Sequence, residues 1–205
     1  MLLLMTELNP QAPGRLELVR RFVNTLDVEA GTDRLASTDG LLKWLREVDL
    51  LQAEQSVSDA QLRRVIAVRE ALRDLLRANH TDTPAPESAV QVLDQAARKL
   101  SILFTRSGGW TIGSAGTGVD FLVGELVTIV IGAMNDGTWR RLKACANDTC
   151  EWAFYDRSRA RSGKWCSMGS CGNRAKQQTW RHKHAHAGRY APSAVVSDGT
   201  STDVR

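Results

Sequence analysis

The chain has four cysteines, and all of them fall within one short segment as Cys145-x4-Cys150-x15-Cys166-x4-Cys171. Two cysteine pairs flanking a hairpin-sized insert suit a tetrahedral Zn²⁺ site, because each pair can curl around the ion while the insert turns the halves to face each other. Four unconnected buried thiols or two disulfides are the alternatives. The paired spacing, in a strongly polar segment with little core of its own, favours one structural Zn²⁺ held by Cys145, Cys150, Cys166 and Cys171. The x4 spacing is wider than the common x2. In a small module of this kind the metal supplies most of the folding free energy, on the order of 10–16 kcal/mol.

Between the pairs lies EWAFYDRSRARSGKW (151–165). Trp152, Phe154 and Tyr155 precede a charged turn at Ser162-Gly163, and Trp165 leads into the second pair. The pattern predicts a β-hairpin whose aromatics pack over the metal knuckle. After Cys171 the run GNRAKQQTWRHKH contains no proline and many helix formers. Knuckle, hairpin and a helix holding the last ligand make a treble-clef arrangement. Gly172 is expected where the backbone passes close to the metal, and Asn173 where the helix begins. With four cysteines present the metal site is full, so His182, His184 and His186 are expected to meet phosphates or to lie in a frayed helix end.

Charge divides unevenly. Residues 139–189 hold twelve Lys/Arg against three acids, a net +9, whereas the rest of the chain carries −5. No acid occurs from Arg157 to Arg189. Ordinary solvated faces mix signs, so this asymmetry points to a polyanionic partner. Arg174, Lys176, Gln177, Arg181 and Lys183 would project from one helix. Lys and Arg neutralise phosphates, and Arg and Gln also read guanine and adenine edges. The plainer alternative is a solvated helix that merely covers the knuckle.

The preceding sequence reads as helices. Leu16–Asp27 has helical apolar spacing. Ser37-Thr38-Asp39 is placed to cap LLKWLREVDLL (41–51), and Ser58 with Gln61 fits a capping box. Beyond it, Leu62, Val65, Ile66, Leu72, Leu75 and Leu76 alternate with Arg63, Arg64, Arg69, Arg73 and Arg77. Those arginines are expected on a solvated face, with Glu70 and Asp74 as partners. Pro86 opens the next helix, to about Leu100. SILFTRSGGWTI (101–112) predicts two short strands around Ser-Gly-Gly. Gly113, Gly116 and Gly118 read as a connection rather than a phosphate loop. Val119–Met134 is apolar nearly all round, short for a membrane span and interrupted by Glu125, so a central bundle helix is expected. Asn135-Asp-Gly137 ends it. The tail beyond residue 188 is small and polar, and disorder is expected.

The segment RRLKACANDTCEWAFYDRSRARSGKWCSMGSCGNRAKQQTWRHKH (140–184) closely resembles the CGNR zinc finger, whose tetrapeptide is Cys171-Gly172-Asn173-Arg174 here. The resemblance takes in Trp152-x-Phe154-x-Asp156, the Ser158-to-Met168 stretch and the basic helix. Upstream, Phe22-Val-Asn-Thr25, Trp44 and the helix before the finger resemble the helical ABATE domain that accompanies this finger. The resemblance implies a stress-associated bacterial transcription regulator whose finger binds double-stranded DNA. Its helical domain would sense a signal, form a homodimer or contact a partner.

The expected architecture is mainly α, of α+β type: a helical domain with one β-hairpin (1–138), a small treble-clef-like zinc finger (139–188) and a tail (189–205). An RNA- or protein-binding zinc module is the second reading, since treble clefs serve all three roles. No enzyme is expected: no nucleophile motif occurs, no histidine precedes Asn79, and four cysteines close the metal site. A small-molecule effector pocket lined by Phe22, Trp44 and Phe121 is a further expectation. MLLLMTELNP lacks the basic start and cleavage pattern of a signal peptide. With no span predicted either, a cytoplasmic protein without membrane contact is expected, where reducing conditions favour metal binding over disulfides.

Overall fold

The computed structural model describes residues 11–50, 56–114 and 117–187. The predicted tail beyond residue 188 lies outside them. Helix α1 (Leu16–Val23) is followed by a two-residue ladder, β1 (Leu26–Asp27) and β2 (Thr32–Asp33). Helices α2 (Thr38–Glu47), α3 (Asp59–Thr81) and α4 (Glu87–Ala97) come next. An antiparallel hairpin, β3 (Leu100–Phe104) with β4 (Trp110–Ser114), leads to α5 (Val119–Asn135). The second hairpin pairs β5 (Leu142–Ala144) with β6 (Ala153–Tyr155). A π turn (Met168–Gly172) opens α6 (Asn173–Ala187). The fold is mainly α with small antiparallel hairpins. Among the described residues no helix is long and apolar enough to cross a membrane.

Local chemistry sets the helix ends. Ser37 Oγ accepts from Gly40 N at 3.1 Å, so α2 starts at Thr38, earlier than predicted. The Ser58–Gln61 capping box forms in both directions. Asp82 closes α3 in the left-handed region, φ 54°. Helix α1 stops at Val23 instead of Asp27: Asn24 N still bonds to Arg20 O at 3.1 Å, but Thr25 N turns to Phe22 O at 3.2 Å and the helical bonding ends. The Asn24 side chain donates to Ala153 O at 2.9 Å and accepts from Ala153 N at 2.7 Å, acting as a strand partner for β6. Gly113 lies within β4, not in a connection.

One apolar cluster runs through the molecule. It includes Leu16, Val19, Phe22, Trp44, Leu72, Leu76, Leu122, Leu126 and Val130, and it continues into Trp139, Leu142, Ala144, Ala153 and Tyr155. The β5–β6 hairpin is therefore seated on the helices. Helix α5 is buried along most of its length, as its composition predicted.

Two of the five interleaved arginines overturn the expectation of a solvated face. Arg69 and Arg73 are only 2% and 0% exposed. Arg69 grips both oxygens of Asp33 at 2.7 and 2.9 Å and also reaches Glu70 and Thr25. Arg73 donates to Val23 O at 2.9 Å and Glu151 O at 3.1 Å and contacts Glu70. Helix α3 lies centrally, so its arginines meet carbonyls and carboxylates of neighbouring elements instead of water. The remaining expectations hold in part: Arg64 pairs with Asp120, and Arg77 with Asp74 and Glu151.

Candidate metal centre and basic helix

The tip of the β5–β6 hairpin carries the first cysteine pair. Backbone bonds from Cys145 N to Trp152 O (3.0 Å) and from Cys150 N to Asn147 O (2.8 Å) close the knuckle. Glu151, just past the second ligand, takes a left-handed φ of 51°. Arg73 holds its carbonyl and Arg77 its carboxylate, so α3 braces the knuckle from behind.

The insert does not fold as the predicted hairpin. Strand β6 pairs backwards with β5, and residues 157–165 form no strand. Instead, the returning chain meets the knuckle, where Ala146 N donates to Lys164 O at 2.9 Å. A buried ion pair fixes this path. Lys143 Nζ donates to Asp156 at 2.8 Å and to Arg161 O at 2.5 Å. Asp156 also accepts from Ser158 N (2.9 Å) and Gly163 N (2.8 Å). Burial alone would raise the Asp156 pKa. Lys143 and these N–H donors outweigh it and hold the carboxyl well below its ordinary range. A Cβ on Gly163 would lie 2.8 Å from the carboxylate, so glycine is needed there. The aromatics divide as well: Trp152 and Trp165 pack on the cysteines, whereas Tyr155 joins the main core.

The four sulfurs lie within 4.8 Å of one another. Cys166 Sγ is 3.7 Å from Cys150 Sγ and 3.8 Å from Cys171 Sγ. Tetrahedral Zn–S bonds of about 2.3 Å place sulfurs about 3.8 Å apart, far beyond the roughly 2.05 Å of a disulfide. The cysteines are free of disulfides. Their mutual electrostatics also call for a cation. Hydrogen bonds from Cys150 and Cys166 pull Cys145 down to about 2. The Cys145 neighbour pushes Cys150 up to about 12 and Cys166 upward too. Thiols this close cannot all ionise unless a dication shares the charge. The donor set fits one structural Zn²⁺ with no position left open.

Each residue of the Cys171-Gly172-Asn173-Arg174 tetrapeptide has a defined contact. Cys171 is a ligand. A Cβ on Gly172 would meet Met168 Sδ at 2.9 Å and Trp165 Cδ1 at 3.3 Å, so the glycine leaves room for both side chains. Asn173 Nδ2 donates to Gly169 O at 3.2 Å, tying the π turn to α6. Arg174 pairs with Glu29, in the β1–β2 turn, at 2.5 and 2.9 Å, and its Nη2 sits 3.7 Å from Cys171 Sγ. Glu29 holds the Arg174 pKa above its ordinary value, and Arg174 lowers that of Glu29. Asn147 Nδ2 also approaches Cys171 Sγ, at 3.6 Å. Both donors offset the negative charge of a four-thiolate site.

Beyond Ala175, α6 is exposed on every face through His184. Arg174, Gln177, Gln178 and Arg181 share one stripe at helical spacing, and Lys176, Trp180 and Lys183 another. Among the described residues Lys176, Arg181 and Lys183 form no ion pair, while Arg174 is engaged. Trp180 is 61% exposed and stacks on His184, with ring centroids 4.2 Å apart. His184 Nδ1 also lies 2.8 Å from Trp180 O. His182 is exposed.

The residues expected to line an effector pocket lie elsewhere than in the two cavities described. Phe22 and Trp44 are buried against each other, centroids 5.4 Å apart, and Phe121 is half-buried on α5. One cavity of about 300 Å³ is bordered by Leu75, Asn79, Val90, Met134 and Trp139. Another of about 270 Å³ is bordered by Leu45, Gln61, Thr117 and Val119.

Comparison with known families agrees with this geometry. A model described as "ABATE: Putative stress-induced transcription regulator" matches residues 16–133, more than half the chain. A second, described as "CGNR zinc finger", matches residues 141–184. No curated protein matches the chain.

Proposed function

Because the chain belongs to the ABATE family and carries a CGNR zinc finger after it, we propose that it is a DNA-binding transcription regulator whose α6 contacts the duplex. The observation that carries this reading is α6 itself. It is fifteen residues long, contains no acid, and stands clear of the protein beyond its zinc-anchored end. At about 1.5 Å per residue it extends roughly 22 Å, enough to lie along a major groove. A helix that is polar all round gains nothing from the core, so its order and charge are best matched by a phosphate-rich surface.

Within α6 the roles differ. Gln177 and Arg181, on the stripe begun by Arg174, are placed for base edges. Lys176 and Lys183, on the other stripe, suit phosphates. Arg174 must leave Glu29 before it touches DNA. The helical domain carries the regulatory input, and regulation of transcription under stress in the cytoplasm is the setting that fits the family description. The test is fluorescence anisotropy of zinc-loaded protein with genomic duplex fragments across a salt series. Arg181→Ala with Lys183→Ala should weaken binding and reduce the salt slope by about one to two units. An unchanged slope would take α6 out of the contact surface.

The exposed Trp180 favours a second reading, single-stranded nucleic acid or RNA, where an accessible ring stacks on bases. Under that reading Trp180→Ala lowers single-strand affinity severalfold more than duplex affinity.

A further inference from the structure

The β3–β4 hairpin exposes an apolar surface that nothing in the DNA reading uses. Ile102, Phe104 and Trp110 are 66%, 86% and 60% exposed. The pairing Phe104↔Trp110 and Ile102↔Ile112 puts all four side chains on one face. The inner end of that face is covered: a Cβ on Gly124 of α5 would meet Ser114 Oγ at 2.1 Å and Leu100 Cδ2 at 3.4 Å. The hairpin therefore leaves α5 at Leu100 and Ser114 and overhangs it with its most apolar residues.

We propose that β3 pairs with β3 of a second copy of this chain, antiparallel about Ile102, giving a homodimer with a continuous four-stranded sheet. The backbone register allows it. Thr105 N bonds to Gly109 O at 2.8 Å, so residues 101, 103 and 105 direct their N–H and C=O groups at β4. Those of Leu100, Ile102 and Phe104 then point outward, and among the described residues none has a backbone partner. Strand β3, LSILF, contains no charge, proline or bulge of the kind that blunts a sheet edge.

Two-fold pairing about Ile102 sets Ile102 against its own symmetry mate and Phe104 against Leu100 of the second copy. Leu100 is the residue that rests on α5. Each uncovered hairpin end is thereby laid beside the covered end of the other, which makes the surface complementary to itself. Ile102 and Phe104, on β3 itself, offer roughly 300 Å² per copy toward the ~800 Å² per partner of a standard interface, to which the paired backbone edge adds. Arg98 and Arg106 flank the strand with like charge, so salt should tighten the dimer, opposite to its effect on DNA binding.

Sedimentation equilibrium on the zinc-loaded full chain tests this independently of any nucleic acid. Wild type should sediment as a dimer. Ile102→Lys and Ile102→Glu are substitutions at an exposed site. Each alone should raise the dimer dissociation constant by at least about tenfold, since like charges then face across the axis. Mixing the two variants should restore dimer, because lysine then faces glutamate. A monomeric wild type would overturn the proposal whatever else covers the hairpin, a partner protein or residues 1–10 of the same chain included. Unchanged dimerisation in both single variants would overturn the β3 interface. Dimers lost in both variants and not regained on mixing would overturn the Ile102 register. Phe104→Ser, with no added charge, should also weaken the dimer, and an unaltered dimer there would count against the buried overhang.

Discussion

Residues 16–135 bury a continuous set of leucines, valines and aromatics. Of residues 157–184, only Cys171 and Gly172 are buried. The two regions are thus held by different forces. The first gains its stability from apolar area removed from water. The second has almost no such area and depends on a metal, a buried ion pair and short polar ties. Between them the β5–β6 hairpin belongs to both, with Tyr155 in the apolar core and Cys145 and Cys150 at the metal. The boundary in chemistry falls after Tyr155, whereas the matched family segments part between residues 133 and 141.

The sharpest way to break this contrast is to remove the metal. Chelation, or Cys171→Ser, should forfeit binding energy of about 10–16 kcal/mol. It should release residues 157–187 while leaving β5–β6 and the helices folded. Hydrogen exchange would show protection lost after Tyr155 and kept in α3 and α5; loss throughout would mean the two regions share one cooperative unit.

Next in size is the buried pair. Asp156→Asn leaves Lys143 charged and unpaired, and should cost about 3–5 kcal/mol by denaturant unfolding. The pH effect has a definite sign. Because Asp156 is held below its ordinary pKa in the folded state, its contribution is present above roughly pH 4 and fades as pH falls further. The variant should therefore show a shallower acid decline than wild type, compared at matched zinc content.

Asn24→Ala removes two bonds to Ala153 and should cost about 1–3 kcal/mol, since partners are left buried. It attacks the joint between the two regions. A fall in thermal midpoint with zinc retained is the expected result.

The smallest effect is expected at Glu29→Gln. The Glu29–Arg174 pair is half-exposed, worth up to about 1 kcal/mol. Stability should barely change, whereas duplex affinity should rise because Arg174 loses its competitor. Titration by anisotropy checks it, and unchanged affinity would remove Arg174 from the DNA-contact list.

Much of this was legible residue by residue. Cysteine spacing specified the ligand set because a tetrahedral ion accepts few arrangements. The Ser-Gly-Gly turn specified β3–β4, and uninterrupted apolar residues specified a buried α5. The arginines of α3 misled, since an arginine between apolar residues looks the same whether water or Asp33 awaits it. The segment after Tyr155 misled for a related reason. Aromatic alternation predicts a strand but does not name its partner, and Lys143 with Asp156 decided that β6 turns back to β5.

Residue type and local spacing are enough to fix which atoms could bind the metal, where the positive charge would collect and which stretches would be helical. Long-range packing made Arg69 and Arg73 internal braces, put Arg174 against Glu29, and left Trp180, Phe104 and Trp110 exposed. Those outcomes depend on contacts between residues as many as 145 positions apart, where the energy of a charge or a ring is set by what the fold brings beside it.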